Sequence, residues 1–380
     1  MKCHDFLQKH CLSCELLSHD YPSSVKIKEQ VLSSLFPDHL DKMRPSVICE
    51  KGSEGTRNKA KLAALLVDSE IQFGFYDRDI HFKKLETCPL QAAPINSVLP
   101  VLKKLLAVYD IIPYDLLTKK GELKYLLITY SQSTNELILR FVLRSKESLD
   151  RLRKLAIVLI EQHSLVKVVT ANIQPVHQAI LEGEEEIVLT NRDYITHNFG
   201  TVVLYQGPRS FFQTNSAMAQ SLYEKFQKEL SKLGVNTLLD LYCGVGAFSF
   251  YAKKFCIKVV GIEISKEAIG YANKARETNL GSDIVFSALD ADAFLQNNSQ
   301  RFDAIVVNPP RRGLNDQIIT QLIKLSPNYI FYSSCNAETL ERDWQKLKND
   351  YEIKSLQLFD MFPFTSHFET LTVLSRQKKD

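Results

Sequence analysis

The C-terminal half of the sequence predicts an α/β fold, a doubly wound sheet ending in an antiparallel hairpin, and three observations carry that reading. From about residue 206 onward, short apolar runs alternate with helix-patterned stretches, the mark of parallel strands covered by helices. The first run, LLDLY, leads into a glycine turn, Gly244-Val245-Gly246, and then a helix. The last two runs, LQLFDMF and ETLTVLSR, are joined only by PFTSHF. That link is too short for a helical crossover, so the pair should form an antiparallel hairpin at one edge.

Upstream of this catalytic-type region (206–380) lie two further segments. Residues 1–48 read as a short, cysteine-bearing, loop-like stretch ending in DKMRPSV, and residues 49–205 as an α+β domain. In the latter, KAKLAALLV and IQFGFYD read as strands with Gly74 near a bend, and SVLPVLKKLLAVYD has helical spacing. KYLLITYSQSTNELILRFVLR reads as a hairpin, SLDRLRKLAIVLIEQH as a helix opened by Ser148, and KVVTANIQPV as another strand. With 45% hydrophobic and 24% charged residues, the 380-residue chain has ordinary globular composition, which excludes collagen-like and wholly disordered classes. No run reaches the ~20 apolar residues of a membrane span, and the N-terminus lacks the apolar core of a signal peptide. A cytoplasmic monomer with no membrane or DNA partner is expected. The net charge of +3 is too small for a global field, so any RNA footprint must be a local patch.

Three successive strand ends carry nucleotide-pocket chemistry. Gly244 and Gly246 let a ligand approach the backbone where open α/β sheets bind ligands. KVVGIEIS brings Glu263, 19 residues after Gly244, to where a carboxylate accepts hydrogen bonds from ribose hydroxyls. DIVFSALD delivers Asp290 for the adenine end. Ser249 stands where a dinucleotide fingerprint wants glycine, leaving NAD the second choice behind S-adenosylmethionine (SAM). A sheet of this order with a terminal hairpin is the architecture of SAM-dependent methyltransferases.

The next strand, FDAIVVNPPRRG, ends in Asn308-Pro309-Pro310, a motif of methyltransferases that act on planar bases. Arg311 and Arg312 follow in place of an aromatic, pointing to a polyanionic substrate. YIFYSSCNAET then sets Cys335 among Ser333, Ser334 and Asn336 on the same rim. Free cysteines mostly just pack, but methylation at C5 of uracil needs a thiol. C5 is a poor nucleophile until a thiolate adds to C6 and turns the ring into an enolate; a base must later remove the C5 proton so that the thiolate can leave. In SHFET the base is Glu369, with His367 second; a surface glutamate is the bland alternative.

The cysteines Cys3, Cys11 and Cys14, with distant Cys88, offer four soft ligands. Spacing alone leaves zinc, an iron–sulfur cluster and free thiols open, and Cys88-Pro89 favours iron–sulfur. Cys49, Cys243 and Cys256 read as packing residues. Period-two alternation puts Arg57, Lys59 and Lys61 on one strand face, suited to phosphates, though a solvated face is the simpler account. Lys119, Lys120, Lys124, Arg140 and Arg144 could extend that patch; Phe211 and Phe212 could stack bases.

GVGAFS, VVGIEIS, VNPPRRG, YSSCNAET, SHFETLTVL and PRSFFQTN resemble the uracil-C5 RNA methyltransferase family, and the likeness runs over nearly the whole chain. The resemblance implies Cys335 as nucleophile, Glu369 as base, and SAM contacts at Gln213, Tyr242, Glu263 and Asn308, the last standing where some members have Asp. It implies a structural [4Fe–4S] cluster on the four cysteines. Members directed at tRNA lack such a cluster, and another rRNA-directed class places a β-barrel ahead of it, for which a cluster starting at Cys3 leaves no room. The expected substrate is therefore one uridine of 23S rRNA, position 747, free or in an early assembly particle, with Arg57, Lys59, Lys61 and Arg311 touching RNA. The competing readings are a methylase of another rRNA or tRNA uridine and a non-catalytic iron–sulfur assembly factor.

Overall fold

The computed structural model describes residues 1–377 apart from Lys51, Arg78, Ile80, Glu86, Gln178 and Ala179. The chain forms two compact units, one of Met1–Cys14 with Ser53–His197, the other of Glu15–Gly52 with Asn198–Asp380.

The N-terminal stretch is thus divided between the units just after Cys14. Before that point lies α1 (His4–Leu7). After it come α2 (Tyr21–Leu35) and β1 (Met43–Val47), in residues expected to be loop-like. Asp20 starts α2 by accepting from the Ser23 N–H at 2.8 Å, with Pro22 in the first turn, where a proline costs no hydrogen bond. Buried Lys28 then ties α2 to Asp360 Oδ1 at 2.5 Å and to the Phe362 carbonyl at 2.8 Å.

In the first unit, residues 53–197 build a seven-stranded sheet covered by helices. Its elements are β2 (Lys59–Val67), β3 (Glu70–Tyr76), β4 (Phe82–Lys84), α3 (Ala93–Val108), β5 (Leu123–Ser131), β6 (Glu136–Leu143), α4 (Leu149–Gln162), β7 (Val166–Ile173) and β8 (Glu185–Val188). The strand order is β4-β3-β2-β5-β6-β7-β8. The expected hairpin is β5–β6, paired antiparallel, and β6–β7 is parallel across α4. Leu102 and Leu106 of α3 and Leu155 and Leu159 of α4 pack with Leu62, Leu126 and Phe141 in one core. Ser148 occupies the α4 cap position without a side-chain cap bond. Gly74 lies inside β3 and marks no bend. A Cβ there would stand 2.0 Å from the Lys83 carbonyl oxygen, so glycine is what lets β4 approach.

After the hairpin of β9 (Ile195–Phe199) and β10 (Val202–Gln206), the second unit follows the predicted alternation. It runs through α5 (Ser216–Leu230), β11 (Thr237–Leu241), α6 (Ala247–Lys253), β12 (Lys258–Glu263), α7 (Lys266–Thr278), β13 (Ile284–Ala288) and α8 (Ala291–Asn297). It continues with β14 (Ala304–Val307), α9 (Asp316–Leu325), β15 (Tyr329–Ser334), α10 (Ala337–Leu347), β16 (Tyr351–Phe359) and β17 (Glu369–Arg376). The sheet order is β1-β16-β17-β15-β14-β11-β12-β13. Strands β11 to β15 are parallel, and β17 runs antiparallel to both β15 and β16. The predicted terminal hairpin is there, but it is not the sheet edge: β1 pairs in parallel with β16, Met43 opposite Leu356, and covers backbone groups that an edge would leave open. Among the described residues no helix is long and apolar enough to cross a membrane.

Candidate functional site

The order of strands reverses between β11 and β14, and the ligand-type residues collect at the carboxyl ends around that point. Tyr242, Gly244 and Gly246 all take left-handed backbone angles, so the chain leaves β11 in a tight loop before α6. At Gly246 a Cβ would meet the Phe286 ring at 2.6 Å, which demands glycine; at Gly244 it would meet nothing within 4 Å, so that backbone faces open space. The Glu263 carboxylate at the end of β12 accepts from the Gly244 N–H at 3.3 Å and the Ser265 N–H at 2.9 Å. Below it, buried Ser249 donates to Asp240 Oδ2 at 2.6 Å, with burial raising the Asp240 carboxyl to about 7. A serine in place of the dinucleotide glycine thus anchors the start of α6 to β11.

The other proposed cofactor residues spread around this rim. Gln213 is buried, Tyr242 and Asn308 are half-buried, and exposed Asp290 caps α8 by accepting from the Ala293 N–H at 3.1 Å. Burial pushes the Tyr242 phenol up to about 12, keeping it neutral. An open backbone cradle, a held carboxylate on the next strand and half-buried polar side chains fit a nucleoside-bearing donor such as SAM.

Cys335 and Glu369 lie on neighbouring strands. Ser334 of β15 pairs with Thr370 of β17, so Cys335, just past β15, and Glu369, opening β17, sit one rung further on. Glu369 is 1% exposed, and burial raises its carboxyl to about 7. Its one hydrogen bond among the described residues comes from buried Ser333, whose hydroxyl donates to Oε1 at 2.6 Å. The Cys335 thiol is pushed up by burial and then by Glu369, while the Arg311 guanidinium pulls it down.

Cys335 opens onto a cavity of about 350 Å³ lined also by Val31 and Leu35 of α2, Arg311, Asn336 and His367. The Arg311 carbonyl accepts from Asn336 Nδ2 at 3.2 Å and Thr339 Oγ1 at 3.3 Å, fixing that loop to the start of α10. Burial and then Arg311 depress the pKa of His367, which is exposed at the mouth. Two contributions escaped sequence reasoning. Val31 and Leu35 lie some 300 positions from Cys335 with no motif around them, and Ser333 was visible only as a polar neighbour.

In the first unit, Cys3, Cys11, Cys14 and Cys88 converge. The Cys14 thiol is pushed up to about 12 by burial and then by Cys88, Cys11 and Cys3, with Arg57 opposing. Asn96 clamps Cys88 through its backbone N–H and carbonyl at 3.3 and 3.1 Å. A cation bound among these sulfurs would offset the burial and the neighbouring cysteines that disfavour the Cys14 thiolate, so the set fits a metal.

The basic residues are brought together only in part. Arg57 and Lys61 are exposed. Lys59 is half-buried, its ammonium lowered to about 8 by burial and then by Lys61 and Arg140. Arg311 belongs to the other unit, where it lines the Cys335 cavity. The suggested extension of the patch fails at three positions. Lys124 bonds Gln174 and the Val176 carbonyl, Arg140 pairs with Glu186 and Glu182, and Arg144 pairs with Glu122. Phe211 is 65% exposed, whereas Phe212 is buried and stacks on Phe199.

Similar proteins agree with this geometry. The sequence pattern of the family described as tRNA (uracil-5-)-methyltransferase matches residues 167–377. The 23S rRNA (uracil(747)-C(5))-methyltransferase RlmC of Xenorhabdus nematophila is 38% identical over 98% of this chain and 99% of its own length. Its counterpart in Photorhabdus laumondii is 39% identical, again over 98% and 99%. The solved tRNA (uracil-54, C5)-methyltransferase of Pyrococcus abyssi, in complex with S-adenosyl-L-homocysteine, is 25% identical with a TM-score of 0.79, covering 96% of this chain and 86% of its own. Likeness of that extent, on a sheet whose neighbouring strand ends hold a thiol and a buried carboxylate, shows that the chain belongs to the tRNA (uracil-5-)-methyltransferase family.

Proposed function

We propose that this protein methylates C5 of uridine 747 in 23S rRNA with SAM as methyl donor. The observation that carries the chemistry is the placement of Cys335 and Glu369 one rung beyond a paired Ser334–Thr370. The substrate follows from relatives of that name matching end to end at 38–39% identity, although the family description names tRNA.

SAM held by Gln213, Tyr242, Gly244, Glu263, Asp290 and Asn308 would supply an electrophilic methyl group and leave as S-adenosyl-L-homocysteine. Cys335 adds as thiolate to C6 of the flipped-out uracil, forming the C6–S bond and moving the ring's electrons toward C5 and O4. After C5 has taken the methyl group, Glu369 accepts the C5 proton. The C–H electrons restore the C5–C6 double bond, and the C6–S bond breaks to release the thiolate. Arg311 favours the thiolate at both ends of the cycle. A base near 7 suits this role, ionised at working pH and still basic.

The cysteine quartet takes a [4Fe–4S] cluster that ties residues 1–14 to the Cys88 loop. The Cys88-Pro89 pair, a ligand-type cysteine followed by proline, supports iron–sulfur over zinc. Exposed Arg57 and Lys61 contact RNA phosphates, Lys59 less so, and Arg311 meets RNA at the cavity. The enzyme acts in the cytoplasm as a monomer on free or early-assembly 23S rRNA.

The test is anaerobically purified protein incubated with unmodified 23S rRNA and labelled SAM, the methyl group then being mapped by nuclease digestion and mass spectrometry. One 5-methyluridine at position 747, lost in Cys335→Ala, is the expected result. Label on tRNA alone would overturn the substrate, and no label on any RNA would favour an assembly factor.

A further inference from the structure

A buried carboxylate with one hydrogen-bond donor owes its aim to that donor, which also offsets part of the rise in pKa that burial causes. Ser333 is fully buried in β15, two residues before the nucleophile, and its hydroxyl holds Glu369 Oε1 at 2.6 Å across the β15–β17 pair. Oε2 makes no hydrogen bond among the described residues, so Ser333 fixes one oxygen and leaves the other for substrate. The other titratable groups that feel Glu369 are Cys335, beyond the end of β15, and Tyr223 on α5; burial and nearby acidic groups keep the Tyr223 phenol neutral. Neither offers a positive charge to hold the carboxylate ionised.

We propose that Ser333 is the positioning residue of the proton-abstraction step, holding Glu369 in the ionised form and in the orientation that removes the C5 proton. This rests on Glu369 being the C5 base, and it separates Ser333 from the earlier steps. Addition of Cys335 to C6 and methylation at C5 do not use Glu369; only loss of the C5 proton, with re-formation of the double bond and breakage of C6–S, does. A donor to a carboxylate stabilises its charged form, so removing it raises the pKa. The part of the pH–rate profile governed by Glu369 ionisation must then move to higher pH.

The experiment compares wild type, Ser333→Ala and Ser333→Thr as the full chain, on a 23S rRNA fragment carrying either uridine or 5-fluorouridine at the target. With 5-fluorouridine there is no C5 proton to remove, so the enzyme is trapped covalently after methyl transfer. We expect Ser333→Ala to form this adduct no more slowly than wild type, since a less ionised Glu369 also disfavours the Cys335 thiolate less. Its turnover on uridine should show an acid limb displaced upward by roughly one pH unit, about fivefold slower at pH 7, with KM for RNA unchanged. Ser333→Thr, which restores the hydroxyl, should return the limb to its original position. A Ser333→Ala profile that superimposes on wild type, or trapping that slows in step with turnover, overturns the proposal. If Ser333→Ala does not fold, Ser333→Val against Ser333→Thr gives the same contrast at constant shape, because β-branched residues suit a strand. Failure of the wild type itself to form the adduct would instead defeat the reading of Cys335 as nucleophile.

Discussion

Cys14 and Cys335 are both thiols of middling exposure, and burial leads the causes that hold each above the usual range. Their company then separates them. Around Cys14 the next contributions are three more cysteines, each of which disfavours its thiolate. Around Cys335 there is one carboxylate that resists ionisation and one guanidinium that favours it, on the wall of an open cavity. The first arrangement suits the metal site proposed above; the second suits the proposed nucleophile, a thiol that releases and recovers a single proton. Side-chain type is shared, and the neighbours decide between ligand and nucleophile.

The sharpest way to break this comparison is Cys335→Ala. Methyl transfer and the 5-fluorouridine adduct should both fall below detection, because the thiol proposed to add to C6 is gone, while iron content stays at the wild-type level. An active Cys335→Ala would assign the chemistry elsewhere. Cys14→Ser makes the reciprocal test. Iron should be lost and solubility should fall, as residues 1–14 lose their tie to the Cys88 loop. Because the donor-pocket residues belong to the other unit, SAM binding measured by calorimetry should persist. A zinc-replete, colourless wild type purified without oxygen would instead defeat the iron–sulfur assignment.

Residues 15–52 follow Cys14 directly yet fold with the nucleophile, and Lys28→Met probes that attachment. Lys28 and Asp360 are 1% and 0% exposed, and Tyr21 donates to the same carboxylate at 2.7 Å. Removing the lysine leaves Asp360 charged and half-partnered in the interior, at a cost of about 3–5 kcal/mol. Urea unfolding should show a midpoint lowered accordingly, with the cysteine quartet's iron retained. An unchanged midpoint would mean that α2 is held by its apolar face alone.

What the sequence made legible was local. The glycine turn, the strand ends bearing Glu263 and Asn308, and the Cys335 motif are each written within a dozen residues, with a hydrophobic period to place them on strands. The α2–β1 segment was not legible in this way. YPSSVKIKEQVLSSL has a weak apolar face, and its reason to be helical lies in Asp360, more than 300 residues away. Alternation correctly gave Lys59 and Lys61 one face of β2, but it could not reveal that Lys59 is half-buried. Nor could it show that the carboxylates of Glu182 and Glu186, beyond β7, claim Arg140. A period reports which side a residue faces, never what already covers that side.

Arg311 illustrates the same limit and supplies the smallest expected effect. Following Asn-Pro-Pro, it reads as a phosphate contact, yet the loop is pinned by Asn336, Thr339 and, through the Leu314 N–H at 2.7 Å, by buried Asp343, so that Arg311 lines the wall of the Cys335 cavity. There its charge opposes burial and Glu369 in setting the thiol. Arg311→Gln removes the cation that favours the thiolate among the described residues, so the pKa of Cys335 should rise and the thiolate fraction at neutral pH should fall by about three- to tenfold. The rate of iodoacetamide alkylation at Cys335, followed by peptide mass spectrometry against pH, reads this without RNA present. Arg311→Lys should recover part of the loss. If alkylation keeps its wild-type pH dependence while RNA affinity drops, the guanidinium serves phosphate alone, and the contrast between the two cysteine environments rests on the absence of neighbouring thiols around Cys335.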